Sequence, residues 1–152
     1  MTIKHSLYDD LRYYLDTIFM GSVTDLVCRI YQGTAPADVN SYTEAGSAAD
    51  LLATVVGTDF SEAGFYGTSN NTSETGQGYV QFSSTSAVVV TPSASGTAVW
   101  YVLEKISTGA IMQGKVMDNT IPADTGSLLL STGTLVSGTP LELVQLRFLM
   151  GE

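Results

Sequence analysis

The sequence predicts a mainly β fold, a β-sandwich or jelly-roll-like barrel with a short N-terminal α-helix. Three observations carry that expectation. Apolar residues alternate with period two in several short runs after Gly21, the runs recur at short intervals, and Gly, Ser and Thr punctuate them. Many short strands separated by turn residues are the pattern of sandwiches and barrels. The chain is therefore expected to divide into a helical arm over residues 1–21 and a β-domain over residues 22–152.

The arm has its own logic. Ser6 and Asp9 stand at the spacing of a capping box, and Asp9 and Asp10 put negative charge in the first turn, where the helix dipole favours it. Leu7, Leu11, Leu15, Ile18 and Phe19 follow at helical spacing, and Gly21 is placed to end the helix. A helix this short is marginal in water, so its stripe needs either the β-domain or another chain. Tyr8, Tyr13 and Tyr14 add aromatic area of the kind enriched at protein interfaces. The candidate protein-interface residues are thus Leu7, Tyr8, Leu11, Tyr13, Tyr14, Leu15 and Ile18.

In the β-domain, Leu26, Cys28 and Ile30 alternate with Val27, Arg29 and Tyr31 and read as a strand with one core face. Gly33 to Asp50 is small and polar and reads as a long loop; Leu51 to Val56 is a short apolar strand. Gly57 to Gly78 is irregular, anchored by Phe60, Phe65 and Tyr66. Tyr79–Phe82 and Ala87–Val90 are expected to form two strands joined by a hairpin loop at Ser83–Ser86. Thr97–Ile106 carries the clearest β pattern, and the Ser107-Thr108-Gly109 turn leads to its hairpin partner, Ala110–Met117. Asp118–Gly126 reads as a turn region and Leu128–Leu130 as a short strand. The last strand, Leu141–Met150, sets Leu141, Leu143 and Leu149 on one face and Val144, Leu146, Phe148 and Met150 on the other. A strand apolar on both faces is central in its sheet or buried between chains.

Composition excludes several classes of function. Fifteen acidic residues against six basic ones give a net charge of −9 and a pI of about 4.2. The basic residues Lys4, Arg12, Arg29, Lys105, Lys115 and Arg147 are scattered singly, whereas phosphate backbones demand clustered cations, so nucleic acid is not an expected partner. No apolar run approaches the ~18 residues of a membrane-spanning helix, and no h-region follows Met1, so neither membrane insertion nor a secretory signal is expected. Cys28 is the sole cysteine, so no disulfide framework can form within one chain. Charged residues make up 14% of the chain, against a usual ~25%, while mean hydropathy is +0.19. A surface this poor in charge points to self-association.

The residues that carry chemistry do not assemble into a known constellation. His5 is the only histidine, and no paired His or Cys spacing provides a transition-metal site. Asp118, Asn119 and Asp124 share a turn region, yet their spacing fits no known cation loop. Cys28 falls on the inferred core face, where a thiol behaves as a small hydrophobe. Asp59 with Glu62, or Glu104, are candidate paired carboxylates, although nothing in the spacing brings two together. Neither an enzyme, nor a metal, nor a cofactor is expected.

One pattern extends through most of the β-domain. A strand ending in IYQGTAPAD precedes the short strand LLATV, then SASGTAVWYVLEKISTGAIMQGKV, and finally SLLLSTGTLVSGTPLELVQLRFLM. Over residues 26–150 this order resembles the head-decoration, or capsid-cement, proteins of tailed bacteriophages. Val102 and Leu103 depart from that pattern where more polar residues usually follow the tryptophan, and the turn in GKVMDNTIPADTG differs as well. The resemblance implies a virion structural protein without catalysis or cofactor, a homotrimer bound to the major capsid protein lattice on the outer surface of the head. It would be made in the host cytoplasm. The alternative expectation is a tail, baseplate or fibre component that recognises a host surface glycan, which requires an exposed aromatic platform.

Overall fold

The computed structural model describes residues 23–62, 66–68, 78–118 and 127–150. The arm over residues 1–21 lies outside them. The chain builds β1 (Leu26–Tyr31), a short helix α1 (Glu44–Ser47), β2 (Leu51–Val56), α2 (Gly57–Glu62), β3 (Tyr66–Thr68) and β4 (Gly78–Val90). There follow β5 (Gly96–Thr97), β6 (Trp100–Lys105), β7 (Ala110–Asp118), β8 (Ser127–Leu130), β9 (Thr134–Leu135) and β10 (Leu141–Met150). The protein is mainly β, as the alternation predicts, and its principal sheet is a nearly closed barrel.

Eight strands run in the order β2-β1-β6-β7-β8-β10-β4-β3, and β5 pairs with β9 as a separate ribbon. Every neighbouring pair in the large sheet is antiparallel except β7 and β8, which run parallel. The barrel is drawn together where the chain leaves β4. There the Ser93 and Ala94 amides donate to the Leu52 carbonyl of β2 at 2.8 and 3.3 Å, and the Ser93 hydroxyl adds a third donor at 3.3 Å. Those bonds occupy part of an edge that would otherwise template further strands.

The interior is one apolar cluster. Leu26, Cys28 and Ile30 of β1 meet Leu52, Ala53 and Val55 of β2, Tyr101 and Leu103 of β6, and Leu128 and Leu130 of β8. Helix α2 sets Phe60 fully into this core. Its Asp59 carboxylate accepts the Val56 amide at 3.0 Å. The β6–β7 hairpin turns through Gly109, whose φ of 71° suits only a residue without a Cβ, and its amide donates to the Lys105 carbonyl at 2.8 Å.

Two strand assignments differ from the sequence expectation, for related reasons. Tyr79–Phe82 and Ala87–Val90 do not pair with each other through a hairpin at Ser83–Ser86. They belong to one strand, β4, and both pair with β10. Between Leu143↔Val88 and Gln145↔Ser83, β10 advances two residues while β4 advances five, so the Ser- and Thr-rich middle of β4 forms an irregularity in the ladder.

The second difference is the phase of β10. Against β8, Leu143 faces Leu130 and Gln145 faces Leu129, which makes Val144 an extra residue. A one-residue insertion inverts the alternation beyond it. Leu146 therefore joins Leu141 and Leu143 in the interior, all three buried, rather than facing the opposite side. Leu146→Ala should destabilise the fold by about 2–5 kcal/mol, whereas Val144→Ala, at a half-buried bulge, should cost well under half as much. Urea denaturation of the two variants measures the difference, and equal losses would contradict the phase inversion.

Candidate protein-interaction surface

The outer face of β2, β1, β6 and β7 is unusual for a barrel because much of it is buried too. Three cross-strand rows compose it. The first is Leu51, Tyr31, Trp100 and Lys115; the second is Thr54, Arg29, Val102 and Gln113; the third is Val56, Val27, Glu104 and Ile111. Tyr31, Trp100 and Val102 form a second buried cluster there, with Ala35, Tyr42, Leu51 and Ile111 packed against it.

The segment Gly33–Asp50 covers the middle of the first two rows, while Thr54 and Lys115 at their ends stay exposed. Far from being a plain loop, it contains 3-10 turns at Val39–Ser41 and Ala48–Asp50 around α1. Local side chains hold the first turn and α1: Asp38 accepts the Asn40 amide at 2.6 Å, and Thr43 accepts the Gly46 amide at 3.1 Å. Gly33, at φ 76°, turns the chain beside the Asp50 carboxylate, and the Gln32 amide donates to the Asp50 carbonyl at 3.0 Å.

The aromatic contacts are specific. Tyr31 stacks on Trp100 with centroids 4.2 Å apart and planes 14° off parallel, and Tyr42 packs edge-on against both rings. The Tyr31 and Tyr42 hydroxyls share a hydrogen bond of 2.7 Å, and Trp100 Nε1 donates to the Gln32 carbonyl at 2.9 Å. Burial, followed by the bond to Tyr42, raises the Tyr31 pKa. Trp100 is 2% exposed.

An ion network binds the cover to the sheet. Arg29 Nη1 donates to Glu104 at 2.7 Å, and Nη2 lies 3.2 Å from Glu44 on α1. Burial alone would disfavour the guanidinium's charge, but hydrogen bonding to Glu104 and the charge of Glu44 outweigh it and raise its pKa. The Glu104 bond is the one that matters energetically, because a mostly buried guanidinium without it would be costly. The exposed Glu44 contact falls in the range of surface pairs, about 0–1 kcal/mol. Gln113 Nε2 donates to the Pro36 carbonyl at 2.9 Å and adds a third tie.

Beside this cover a half-open groove of about 470 Å³ is lined by Ala35, Ala98, Val99, Trp100, Gln113, Gly114, Lys115 and Val116. Aliphatic side chains also stand exposed around the barrel at Val56, Val89, Val99, Ile106 and Val136. Two of the scattered cations are consumed by the fold: Arg29 in the network above, and Lys105, whose Nζ lies 3.5 Å from Asp25. The Asp25 pKa is lowered, chiefly by its hydrogen bond with Ser107.

The interface candidates Leu7, Tyr8, Leu11, Tyr13, Tyr14, Leu15 and Ile18 all fall outside the described residues. The structure does place the other candidates. Glu104 is held by Arg29, which it shares with Glu44, and Asp59 accepts the Val56 amide, while the side chain of Glu62 lies outside the described residues. Asp118 closes β7, while Asn119 and Asp124 lie outside the described residues. Among the described residues no group of three or more His, Cys, Asp or Glu is arranged to hold a metal ion. Tyr42, Glu44 and Gln113 were missed by sequence reasoning. Their signals were faint: a lone tyrosine in a polar segment, and a glutamine on an otherwise apolar hairpin.

Comparison with family models, with curated proteins and with solved structures finds no match to this chain.

Cys28 lies on the opposite, interior face of β1 and is fully buried. Burial pushes its thiol from an ordinary 9.0 up to about 12, with Arg29 opposing weakly. Below pH 9 the thiol is neutral in both folded and unfolded chains and contributes no pH dependence. Between pH 9 and 12 the unfolded chain ionises and the folded one does not, so stability falls as pH rises. The expected loss is about 1.4 kcal/mol by pH 10. Cys28→Val should lose that much less between pH 8 and pH 10 in urea titrations, and parallel behaviour of the two proteins would contradict the burial of the thiol.

Proposed function

We propose that this chain is a virion structural protein of the capsid-decoration kind, which binds the major capsid protein lattice from outside and stabilises the head. The observation that carries the reading is the surface itself. Exposed aliphatic side chains at Val56, Val89, Val99, Ile106 and Val136 stand on a strongly acidic barrel in which Arg29 and Lys105 are spent on internal ion pairs. Such a surface suits apolar contact with another protein and repels phosphate backbones. Tyr31 of IYQGTAPAD and Trp100 and Val102 of GTAVWYVLEK, the segments that carry the resemblance to decoration proteins, meet in the covered cluster on the outer sheet face.

The stabilising effect follows from linkage. A protein that binds the assembled lattice and not its free subunits shifts the equilibrium toward assembly by mass action. Trimerisation multiplies modest contacts through avidity, which a small barrel with few anchors needs. The glycan-binding alternative requires an aromatic platform open to solvent. Trp100 is instead sealed beneath Tyr42 and the Gly33–Asp50 segment, which weighs against it.

Capsids lacking the protein, incubated with purified chain, should carry it down on sedimentation and then withstand heating that disrupts bare capsids. Light scattering of the free protein should give three times the 16.1 kDa chain mass. A monomeric mass would contradict the trimer. Failure to sediment with capsids, together with retention on a host-glycan array, would overturn the decoration reading in favour of the alternative.

A further inference from the structure

The Gly33–Asp50 cover stops one row short. It covers Tyr31, Trp100, Arg29 and Val102 in the middle of the first two rows, and Ile111 at one end of the third row, Val56–Val27–Glu104–Ile111, packs against that cluster; among the described residues neither buried cluster takes in Val27 or Val56. Val56 is 43% exposed there, and Ile106, in the turn just beyond β6, is 52% exposed. Val27 and Ile111 are half-buried. Glu104 is the one charged member of the row, and Arg29 already neutralises it. The row is therefore an apolar strip that crosses four strands.

We propose that the strip is the docking site of the chain's own N-terminal arm, seated by Leu7, Leu11, Leu15 and Ile18. Three observations converge on that occupant. The first is where the preceding chain begins. Val23–Asp25 leads directly into β1 at Leu26, one residue from Val27 of the strip. This entry is fixed against the end of the sheet, because the Ile106 amide donates to the Asp25 carbonyl at 3.0 Å and the Ser107 amide to its carboxylate at 3.1 Å. Helix α2, which follows Val56, packs against the same three residues. The chain therefore enters β1 next to Val27 and close to the segment that follows Val56.

The second observation is size. Four neighbouring strands about 4.8 Å apart make a strip about 14 Å across. Leu7 to Ile18, at about 1.5 Å per residue, spans about 16 Å along a helix. The third is polarity: an uncharged stripe of four aliphatic residues at helical spacing meets a strip whose only charge is paired. A short tether gives the arm an effective concentration in the millimolar range at its own barrel, which favours that site over a neighbour's. Tyr13 is off the i, i+4, i+8, i+11 spacing of the stripe, whereas Tyr8 stands three and seven residues from Leu11 and Leu15 and borders it. The inference does not rest on the capsid reading.

The test uses the full chain with a reporter cysteine at Val56→Cys, labelled by iodoacetamide; Cys28 is buried and its thiol stays protonated. Introducing Leu11→Asp and Leu15→Asp into the arm should raise the labelling rate at position 56 at least tenfold. A second reporter, Val89→Cys on β4, should be unaffected by the same arm substitutions. Protection of position 56 should not change with protein concentration. An unchanged rate at position 56 would overturn the proposal. Protection that strengthens with concentration would overturn it in favour of a neighbouring copy's arm. A simultaneous rise at position 89 would overturn it too, by showing that the arm is needed for the fold and not merely docked on it.

Discussion

Strand β6 presents apolar or aromatic side chains toward both faces of its sheet, and the rest of the molecule answers that constraint. Trp100 and Val102 project outward; Tyr101 and Leu103 project inward; all four are buried. An ordinary antiparallel sheet leaves one face to water. Here the inward set is absorbed by the barrel interior, and the outward set needs a second cover, which the chain makes from Gly33–Asp50. The stacked pair Tyr31–Trp100, at 4.2 Å, is the centre of that second cluster. Tyr42, Arg29, Glu44 and Gln113 are best understood as fastenings around it.

The two clusters divide the labour. The interior one is built largely from aliphatic residues of seven strands with Phe60 as a plug, and it provides most of the burial. The outer one is small, aromatic and tied by polar bonds that have geometry. Burial of its two large rings stabilises this cluster, and hydrogen bonds and ring orientation define a single arrangement of the cover. The groove along Val99 and Val116 and the bare strip at Val56 are then the places where this covering is incomplete, which is where a partner surface has something apolar to meet.

Much of the barrel was legible from alternation alone. β1, β2, β6, β7 and the start of β10 fall close to where the apolar runs predict them, and the β1–β6–β7 ladders pair in unbroken register. What alternation cannot register is a change of phase. Val144 inserts one residue and returns Leu146 to the core, and the Ser-rich middle of β4 is irregular rather than a hairpin. Both depend on partner strands distant in sequence. The same holds for Arg29, which reads as the polar side of a strand yet is buried against Glu104, 75 residues away. The cover was read as a featureless loop because its residues are small and polar; its structure comes from Asp38 and Thr43 caps and from the sheet beneath. Of the candidate site, the arm residues fall outside the described part of the chain, and the burial of Trp100 depends on Tyr42 and Gln32, which strand alternation does not connect to it.

Trp100 is the sole tryptophan, so its fluorescence reports on the cover without labelling. If Gly33–Asp50 seals the outer face, native emission should be blue-shifted, acrylamide should quench it only weakly, and quenching should rise in the same transition as global unfolding. Red-shifted emission with ready quenching in the native protein would contradict a sealed second cluster.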